Sequence, residues 1–390
     1  MKLKMLLLCL LLTLSGSTFG YLFLTNYLLP KISGENVTPL NILLPKKEVI
    51  GFLPYWLITK ASPDYSKYIT TLSYFSLTLD KDGTIQKYTS PGESEPGYHT
   101  LFAGKFDPFL ASAKAKGLKL SLVVFSSGDD NIGLMLNDPE TSAKNLLNDV
   151  TPIMKQYGFT DLNLDVEQVA DASPEARLRF TRFVQTVKND LDKTVIKSLS
   201  LDISASAFIK DTNLSDPAAL TAIADQLIIM AYDYHYAGSI VTGAVAPGEG
   251  AGTIAEFDTK SAIEAALKVT PVKKIILGIP LYGYEWDTIG DVPRSAIIPS
   301  TGQTISNSRA ETFLASCATC SAVFDTIDKE NHIIYLDPET GAYHQIFYPD
   351  RQSTQYKVNL AKENSLGGLA AWALGYEGSS ILEPLSSYHN

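Results

Sequence analysis

The chain has 390 residues, of which 45% are hydrophobic and 19% are charged. This composition is that of an ordinary globular protein and excludes a disordered or collagen-like chain, and the length is sufficient for one large barrel domain. The formal net charge of −10 argues against nucleic acid and anionic lipid as partners, because both bind basic surfaces.

The N-terminal segment opens with Lys2 and Lys4, which precede an uncharged run from Met5 to Leu29. A helix of about 25 residues, rising about 1.5 Å per residue, exceeds the roughly 30 Å thickness of a hydrocarbon core. We therefore expect residues 1–30 to be an uncleaved membrane anchor. A cleaved signal peptide is the alternative, because residues 15–20 offer a weak cleavage site, and a buried core helix is the least favoured interpretation. Both leading interpretations predict an extracytoplasmic protein, membrane-anchored or secreted.

Residues 31–47 contain proline and asparagine and are predicted to be a tether. From residue 48 onward, β-rich hydrophobic segments alternate with helical patterns, which predicts βα units and a parallel sheet. Eight segments show the near-continuous hydrophobicity of strands that are covered by helices. They are Glu48–Tyr55, Thr70–Leu79, Leu118–Phe125, Thr160–Glu167, Ser198–Ala207, Gln226–Tyr232, Lys273–Leu281 and Leu366–Leu374.

The segments between these strands follow helical spacing. Ser173 and Pro174 form an N-cap followed by proline at the first helical position, and the segments Phe106–Lys116 and Thr141–Tyr157 are similar. Eight strands with intervening helices over residues 48–390 predict an α/β fold, a (β/α)8 TIM barrel. An open doubly wound sheet is the alternative, but no glycine-rich phosphate loop follows the first strand.

A long segment, Tyr282 to Ser365, separates the seventh and eighth predicted strands. We predict that it holds a small α+β insertion at about residues 284–360, which can wall a substrate cleft at the barrel mouth. Cys317 and Cys320 lie within it, and a local disulfide is the first interpretation in an exported protein. Free thiols or a metal site are the alternatives, although the neighbouring histidines match no familiar zinc spacing, so no metal or cofactor is predicted.

The segment FTDLNLDVEQ is the most informative. Asn163, Asp165 and Glu167 recur at every second position, so on a strand they share one face. Two carboxylates two residues apart, with Cα atoms about 7 Å apart, perturb each other and push one toward the protonated form. That is the condition for a general acid near neutral pH. The alternative is a set of satisfied polar residues at a strand end. Glu167, the last of the three, is expected to lie nearest the catalytic mouth.

The end of this segment, NLDVE, resembles the last part of the DGxDxDxE signature of glycoside hydrolase family 18, the chitinase family. Four other segments resemble the family in the right order: GFLPYW at 51–56, MAYD at 230–233, KIILGIPLYGYEW at 274–286 and GGLAAWALG at 367–375. The last two, together with YFSLTLDKDGTI at 74–85, are most similar to the bacterial branch typified by spore-cortex-lytic N-acetylglucosaminidases.

This resemblance implies hydrolysis of β-linked N-acetylglucosamine bonds in peptidoglycan or chitin-type glycans, with no cofactor, by a substrate-assisted retaining mechanism. It implies that Glu167 is the general acid, that Asp165 orients the substrate's acetamido group, and that Tyr232 hydrogen-bonds the acetamido carbonyl. The implied substrate-binding residues are Trp372, beneath the sugar, and Asp233, Tyr55 and Asn163.

The sequence also departs from the family pattern. Thr160 and Asp161 stand where the signature has Asp-Gly, Asn163 stands where many chitinases have aspartate, and the third strand lacks a clean SxGG. These changes weaken the expectation of ordinary chitinase activity more than that of hydrolysis. The alternatives are a catalytically silent chitinase-like glycan-binding protein and a hydrolase of glycans without an acetamido group. We expect a monomer whose partners are an N-acetylglucosamine polysaccharide and, through the N-terminal segment, a membrane.

Overall fold

The computed structural model describes residues 47–194, 196, 198–253 and 256–389. The predicted anchor at residues 1–30, and the predicted tether apart from Lys47, lie outside the described residues. Among the residues that are described, no helix is both long enough and apolar enough to cross a lipid bilayer.

The strands of the described residues are numbered in chain order. They are β1 Glu48–Pro54, β2 Thr71–Thr78, β3 Tyr88–Ser90, β4 Glu93–Ser94, β5 Lys119–Ser127, β6 Asp161–Glu167, β7 Ser198–Ser204, β8 Gln226–Met230, β9 Ile275–Pro280, β10 Tyr282–Thr288, β11 Gln303–Ser306, β12 Ala322–Phe324, β13 Asn331–Leu336, β14 Tyr343–Tyr348 and β15 Gly368–Trp372.

The helices are numbered in the same way. They are α1 Pro96–Phe102, α2 Asp107–Ala115, α3 Asp129–Met135, α4 Pro139–Tyr157, α5 Pro174–Leu191, α6 Pro217–Leu220, α7 Thr259–Ala266, α8 Asn307–Ser316, α9 Arg351–Glu363 and α10 Glu383–His389.

Eight parallel strands of the described chain close into a barrel in the order β1, β15, β9, β8, β7, β6, β5 and β2. The predicted (β/α)8 barrel is therefore confirmed, and each predicted barrel strand overlaps an observed one. The ends differ by a few residues. For example, the segment Ala205–Phe208, predicted in part as strand, forms a 3₁₀ turn that carries the chain away from the barrel.

The main hydrophobic core lies between the barrel and its helices. Leu162 and Leu164 of β6 and the buried apolar residues of α5 all belong to this core. Helix α5 begins where the sequence predicts, since Ser173 Oγ accepts a hydrogen bond from the Ala176 N–H at 3.2 Å and Pro174 occupies the first turn. Burying each large apolar side chain of this kind contributes about 1.5–3 kcal/mol.

The insertion between β9 and β15 is a five-stranded antiparallel sheet in the order β11, β10, β14, β13 and β12, with α8 packed on it. One residue, Leu281, separates β9 from β10, so the sheet begins slightly before the predicted 284. The predicted end at 360 is wrong: α9 contacts β9 and β15 and belongs to the barrel's helical layer, because its apolar face, including Val358 and Ala361, packs into the main core. Just after α8, Cys317 and Cys320 are joined by a disulfide.

The parallel barrel brings the predicted site residues to one end. Glu167 ends β6, Trp372 ends β15, Tyr55 directly follows β1 and Tyr232 follows β8 by two residues. The carboxyl ends of all barrel strands lie at the same mouth, where barrel enzymes bind substrate. The topology alone therefore makes these side chains neighbours.

Candidate active site

The inward face of β6 carries a row of polar side chains that begins lower in the barrel than the sequence motif indicated. Asp161 opens the row, because it shares the period-two face of the strand with the predicted residues. Its carboxylate accepts three serine hydroxyl hydrogen bonds, from Ser121 and Ser198 at 2.7 Å and from Ser200 at 2.8 Å. Asp161 is thus a satisfied polar residue below the mouth.

Asn163 is next in the row and is only 1% exposed. Its side-chain amide donates to Ser200 Oγ at 3.0 Å and to Asp202 Oδ1 at 3.1 Å. It does not line the cavity at the mouth. The structure thus does not place Asn163 as a substrate-binding residue; it supports the acidic groups above it.

Asp165 is only 3% exposed, and it lines the cavity at the barrel mouth. Burial raises its pKa well above the ordinary value, and the negative charges of Asp202 and Glu167 raise it further, as does a hydrogen bond to Glu167. These effects favour the protonated form of Asp165, which can donate a hydrogen bond to Glu167. Its Oδ1 atom has no hydrogen-bond partner among the described residues.

Glu167 ends β6 and reaches the solvent of the mouth. Desolvation of its carboxyl group raises its pKa, the charge of Asp233 raises it further, and the hydrogen bond from Asp165 opposes the shift. A glutamate with a raised pKa can carry a proton closer to neutral pH than a free one and then act as a base after giving it up.

The cavity beside Glu167 has a volume of about 350 Å³ and an aromatic wall. Trp372 is half-buried in this wall, and its ring centroid lies 4.5 Å from that of Phe75 and 5.9 Å from that of Phe52, both edge to face. The residues that line the cavity are Phe52, Tyr55, Trp56, Phe75, Ser76, Thr78, Phe125, Asp165, Glu167, Asp202, Met230, Tyr232, Asp233 and Trp372.

Tyr55, one of the predicted contacts, lies in this wall, and its ring packs edge to face on Trp56 at 4.8 Å. Trp56 is 45% exposed and lies 6.3 Å from Trp372. A large aromatic face that is left open beside a polar cavity is a surface on which a sugar ring can stack. The sequence motif GFLPYW contained Trp56, but the resemblance singled out only its neighbour.

Tyr232 and Asp233 follow β8 at the mouth. Burial raises the pKa of Tyr232 well above its ordinary value, with further increases from nearby carboxylates, so its hydroxyl stays a hydrogen-bond donor. Asp233 has a left-handed backbone (φ 58°), and its Oδ1 accepts hydrogen bonds from Tyr282 at 2.6 Å and Tyr284 at 2.9 Å. Because both tyrosines belong to β10, the insertion helps to hold the site.

A second cavity of about 380 Å³ adjoins the first on the other side of Glu167. The two share Glu167, Asp202, Met230, Tyr232 and Asp233, but the second has a lining of hydroxyl and amide groups in place of the aromatic wall. Its own polar side chains are Gln168, Ser204, Ser206, Asn213 and Ser215. Glu167 therefore stands between an aromatic pocket and a polar one, where it can reach a bond that joins two sugars.

A larger groove of about 470 Å³ lies between α4 and α5, on the outside of the barrel. Its single carboxylate, Asp190, pairs with Lys193 on the surface. It contains no convergent acidic groups, so we place the site at the mouth.

Asp202 on β7 is the acidic residue that the sequence analysis missed. It is 8% exposed and lies beside Asp165 in the register of the two strands. A signal was present, since Ser198, Ser200, Asp202 and Ser204 alternate with apolar residues along the strand. Among the described residues, no cluster of His, Cys, Asp or Glu side chains has the geometry of a metal site.

Comparison with known proteins shows the family to which the chain belongs. The family model described as Glycosyl hydrolases family 18 matches residues 48–377. The chain is 25% identical over 325 residues to the cortical fragment-lytic enzyme of Bacillus subtilis (strain 168), covering 82% of this chain and 67% of that protein. It is 29% identical over 270 residues to the class V chitinase of Arabidopsis thaliana, covering 65% of this chain and 67% of that protein.

Solved structures share the fold. The Bacillus cereus spore cortex-lytic enzyme SleL superimposes with a TM-score of 0.71 at 23% identity, over 89% of this chain and 75% of that chain. The Ostrinia furnacalis Group IV chitinase, in complex with allosamidin, superimposes with a TM-score of 0.73 at 18% identity, over 88% of this chain and 98% of that chain.

Proposed function

Because the chain belongs to glycosyl hydrolase family 18 and is therefore a glycoside hydrolase, we propose that it cleaves β-linked N-acetylglucosamine bonds by a retaining, substrate-assisted mechanism. One observation carries the proposal. Asp165, the carboxyl group next to Glu167, is buried, and its burial and the neighbouring carboxylates raise its pKa well above the ordinary value, which disfavours the ionised form that a carboxylate nucleophile needs. A retaining enzyme without a carboxylate nucleophile needs another one, and the 2-acetamido oxygen of the sugar is the group within reach of its own anomeric carbon.

In the first step Glu167 donates its proton to the glycosidic oxygen while the acetamido oxygen attacks the anomeric carbon. The bond from that carbon to the glycosidic oxygen breaks, and an oxazolinium ring forms. The Tyr232 hydroxyl, which stays protonated, holds the acetamido oxygen in line. The unpartnered Oδ1 of Asp165 is available to accept the acetamido N–H as positive charge develops there.

In the second step Glu167, now a carboxylate, takes a proton from water. The water oxygen attacks the anomeric carbon, the oxazolinium ring opens, and the acetamido group is restored. Two displacements at the same carbon leave the product with its original configuration. Glu167 regains its proton in this step, so the cycle consumes only water.

The substrate proposed is a glycan with N-acetylglucosamine on the aromatic side of Glu167, where Trp372 and Trp56 provide stacking surfaces. The leaving sugar occupies the polar pocket, where hydroxyl and amide side chains can bond to its hydroxyl groups. Similarity to the cortical fragment-lytic enzyme of Bacillus subtilis favours peptidoglycan, and similarity to chitinases keeps chitin-type glycans as the second substrate class.

The test is a digestion of purified peptidoglycan and of chitin oligomers with residues 46–390, followed by mass spectrometry of the new reducing ends. We expect a new N-acetylglucosamine end and inhibition by a thiazoline analogue of the oxazolinium. A muramic-acid end, or no cleavage of any substrate, contradicts the proposal. Glu167→Gln is the matched control: binding without turnover in the variant, with turnover in the parent, excludes a silent glycan-binding protein.

We also propose that the enzyme acts outside the cytoplasm as a monomer, attached through residues 1–30 to a membrane or released after their removal. The uncharged N-terminal run supports this location. Expression of the full chain and of residues 46–390, followed by membrane fractionation, tests it. An anchored chain is recovered with the membrane only when residues 1–45 are present, and sedimentation of the shorter chain measures its oligomeric state.

A further inference from the structure

Asp202 is a buried carboxyl group that forms no salt bridge with any described residue. In the register of the two strands it is the direct neighbour of Asp165, and it lines both cavities at the mouth. Its single hydrogen-bond partner among the described side chains is Asn163, whose amide donates to Oδ1 at 3.1 Å. A buried carboxylate without a cation is costly, so its presence here requires an explanation.

The groups that face Asp202 are all acidic or neutral. Asp161, Asp165 and Glu167 approach from β6, and Tyr232 and Asp233 from the end of β8. Burial raises the pKa of Asp202 to about 8, the Asn163 hydrogen bond opposes this shift, and the charges of Glu167 and Asp161 add to it. Carboxylates this close titrate as a set, so Asp202 is protonated in acid and ionised in alkali.

The other polar neighbours of Asp165 on β6, Asp161 and Asn163, cannot supply a free negative charge beside it. Asp161 is occupied by three serine hydroxyls, and Asn163 is an amide that carries no charge. Asp202 is therefore the carboxylate beside Asp165 that is neither saturated with hydrogen bonds nor part of the reacting pair. Its ionisation adds a negative charge next to Asp165, and a negative charge makes the loss of the pair's proton less favourable.

We propose that Asp202 is a positioning residue of the hydrolytic site, whose negative charge preserves the proton of the Asp165–Glu167 pair above neutral pH. This inference rests on the proposed hydrolytic function. Asp202 acts through Asp165, and Asn163 holds it in place by its amide. The consequence is a pH range of activity that extends further into alkali than the same pair would give alone.

The test compares pH profiles of kcat/KM for the parent and for Asp202→Asn. We expect the alkaline limb to move to lower pH by about 1 unit in the variant, while the acid limb, where Asp202 is protonated, stays in place. The double variant Asn163→Asp/Asp202→Asn moves the carboxylate from β7 to β6, still beside Asp165, and is expected to restore the alkaline limb. A purely structural role predicts reduced activity at every pH and no rescue.

A second measurement does not depend on turnover. Carbon-13 NMR of aspartate-labelled protein follows the Asp165 carboxyl through a pH titration, and we expect its pKa to be lower in Asp202→Asn. A folded variant with an unchanged Asp165 titration and an unchanged alkaline limb overturns the inference. If the parent cleaves no glycan but the titration shifts, the hydrolytic function fails while the coupling stands. If Asp202→Asn does not fold, the double variant Asn163→Asp/Asp202→Asn tests the inference instead. An alkaline limb that lies at lower pH in this variant than in the parent contradicts the inference.

Discussion

Buried charges occupy two regions of this protein, the barrel mouth and the inserted sheet, and the two regions treat them in opposite ways. In the insertion, buried carboxylates pair with cations. Lys357 Nζ lies 3.2 Å from Glu330 Oε1, and Arg294 Nη2 lies 2.6 Å from Asp328 Oδ2. At the barrel mouth Asp165 faces Asp202 and Glu167, and the charges that act on it are negative.

The difference separates structural charges from functional ones. Burial raises the pKa of Glu330, but Lys357 opposes the shift, and two backbone N–H groups complete its hydrogen bonds. The cation and the two N–H groups favour the ionised form of Glu330, and these contacts join parts of the fold. A carboxyl that meets only other acids keeps its proton, which costs stability but supplies a general acid.

The largest effect is expected for Glu167→Gln. Loss of the general acid lowers kcat/KM on an N-acetylglucosamine glycan by about 10²–10⁴-fold. The raised pKa of Glu167 means that its ionisation costs stability near neutral pH, so the free energy of unfolding is expected to stay the same or increase. Steady-state kinetics and urea unfolding measure the two quantities. If the variant loses stability as well as activity, Glu167 has a structural role, which contradicts its assignment as a functional charge.

The reverse outcome is expected for Lys357→Met, which removes the cation that α9 supplies to Glu330 of the insertion. Lys357 is 1% exposed, and its removal leaves the Glu330 carboxylate buried without a cation. We expect the free energy of unfolding to fall by about 3–5 kcal/mol at neutral pH. The loss should shrink as the pH falls, because Glu330 can then take up a proton.

A matched control for this loss is Lys67→Met, which breaks the exposed ion pair with Glu383. A surface pair contributes about 0–1 kcal/mol, so urea unfolding should separate the two variants clearly. Equal losses would mean that burial of the Lys357–Glu330 pair carries no special energetic weight.

A smaller effect on activity is expected for Tyr232→Phe. Removing the hydroxyl that holds the acetamido oxygen lowers kcat/KM by about 10–100-fold. The loss should be confined to substrates that carry the acetamido group. Tyr388→Phe is the control, because that buried hydroxyl donates to the Leu366 carbonyl, away from the mouth, and its loss should leave kcat/KM unchanged. Equal effects on substrates with and without the acetamido group contradict the proposed mechanism.

The sequence predicted the barrel and most of the mouth because their signals are local or periodic. The strand segments are hydrophobic throughout, and Asp165 and Glu167 stand at alternate positions of one of them. Once the strands are parallel, their carboxyl ends share a mouth, so Tyr232, Asp233, Tyr55 and Trp372 had to meet.

What the sequence did not predict depends on contacts between strands. The neighbourhood of Asp202 and Asp165 follows from the register of β6 and β7, which no pattern within either strand specifies. The same register turns the amide of Asn163 toward Asp202 and away from substrate. The end of the insertion was misplaced because α9 has a helical pattern like any other, and only packing against β9 and β15 shows to which layer it belongs.

The smallest effect is expected at His344, which makes one charge pair of the insertion conditional on pH. Its ring nitrogens lie 2.7 Å from Asp287 Oδ1 and 3.3 Å from Glu285 Oε2. Desolvation lowers its pKa, but the hydrogen bonds to the two carboxylates outweigh it and raise the pKa above the ordinary value.

A raised histidine pKa stabilises the fold only while the ring is charged. The contribution, about 0.5–1 kcal/mol, is therefore complete below the unfolded pKa of about 6.5 and disappears as the pH rises through the folded value. His344→Gln should lower the free energy of unfolding in that acidic range and have no effect in alkali, where Arg309 still pairs with Glu285 at 2.6 Å. Unfolding measured from pH 5 to pH 9 tests this. Activity should not change, since His344 lines neither cavity. A loss of stability that grows with pH would contradict this sign and show that His344 acts as a neutral ring.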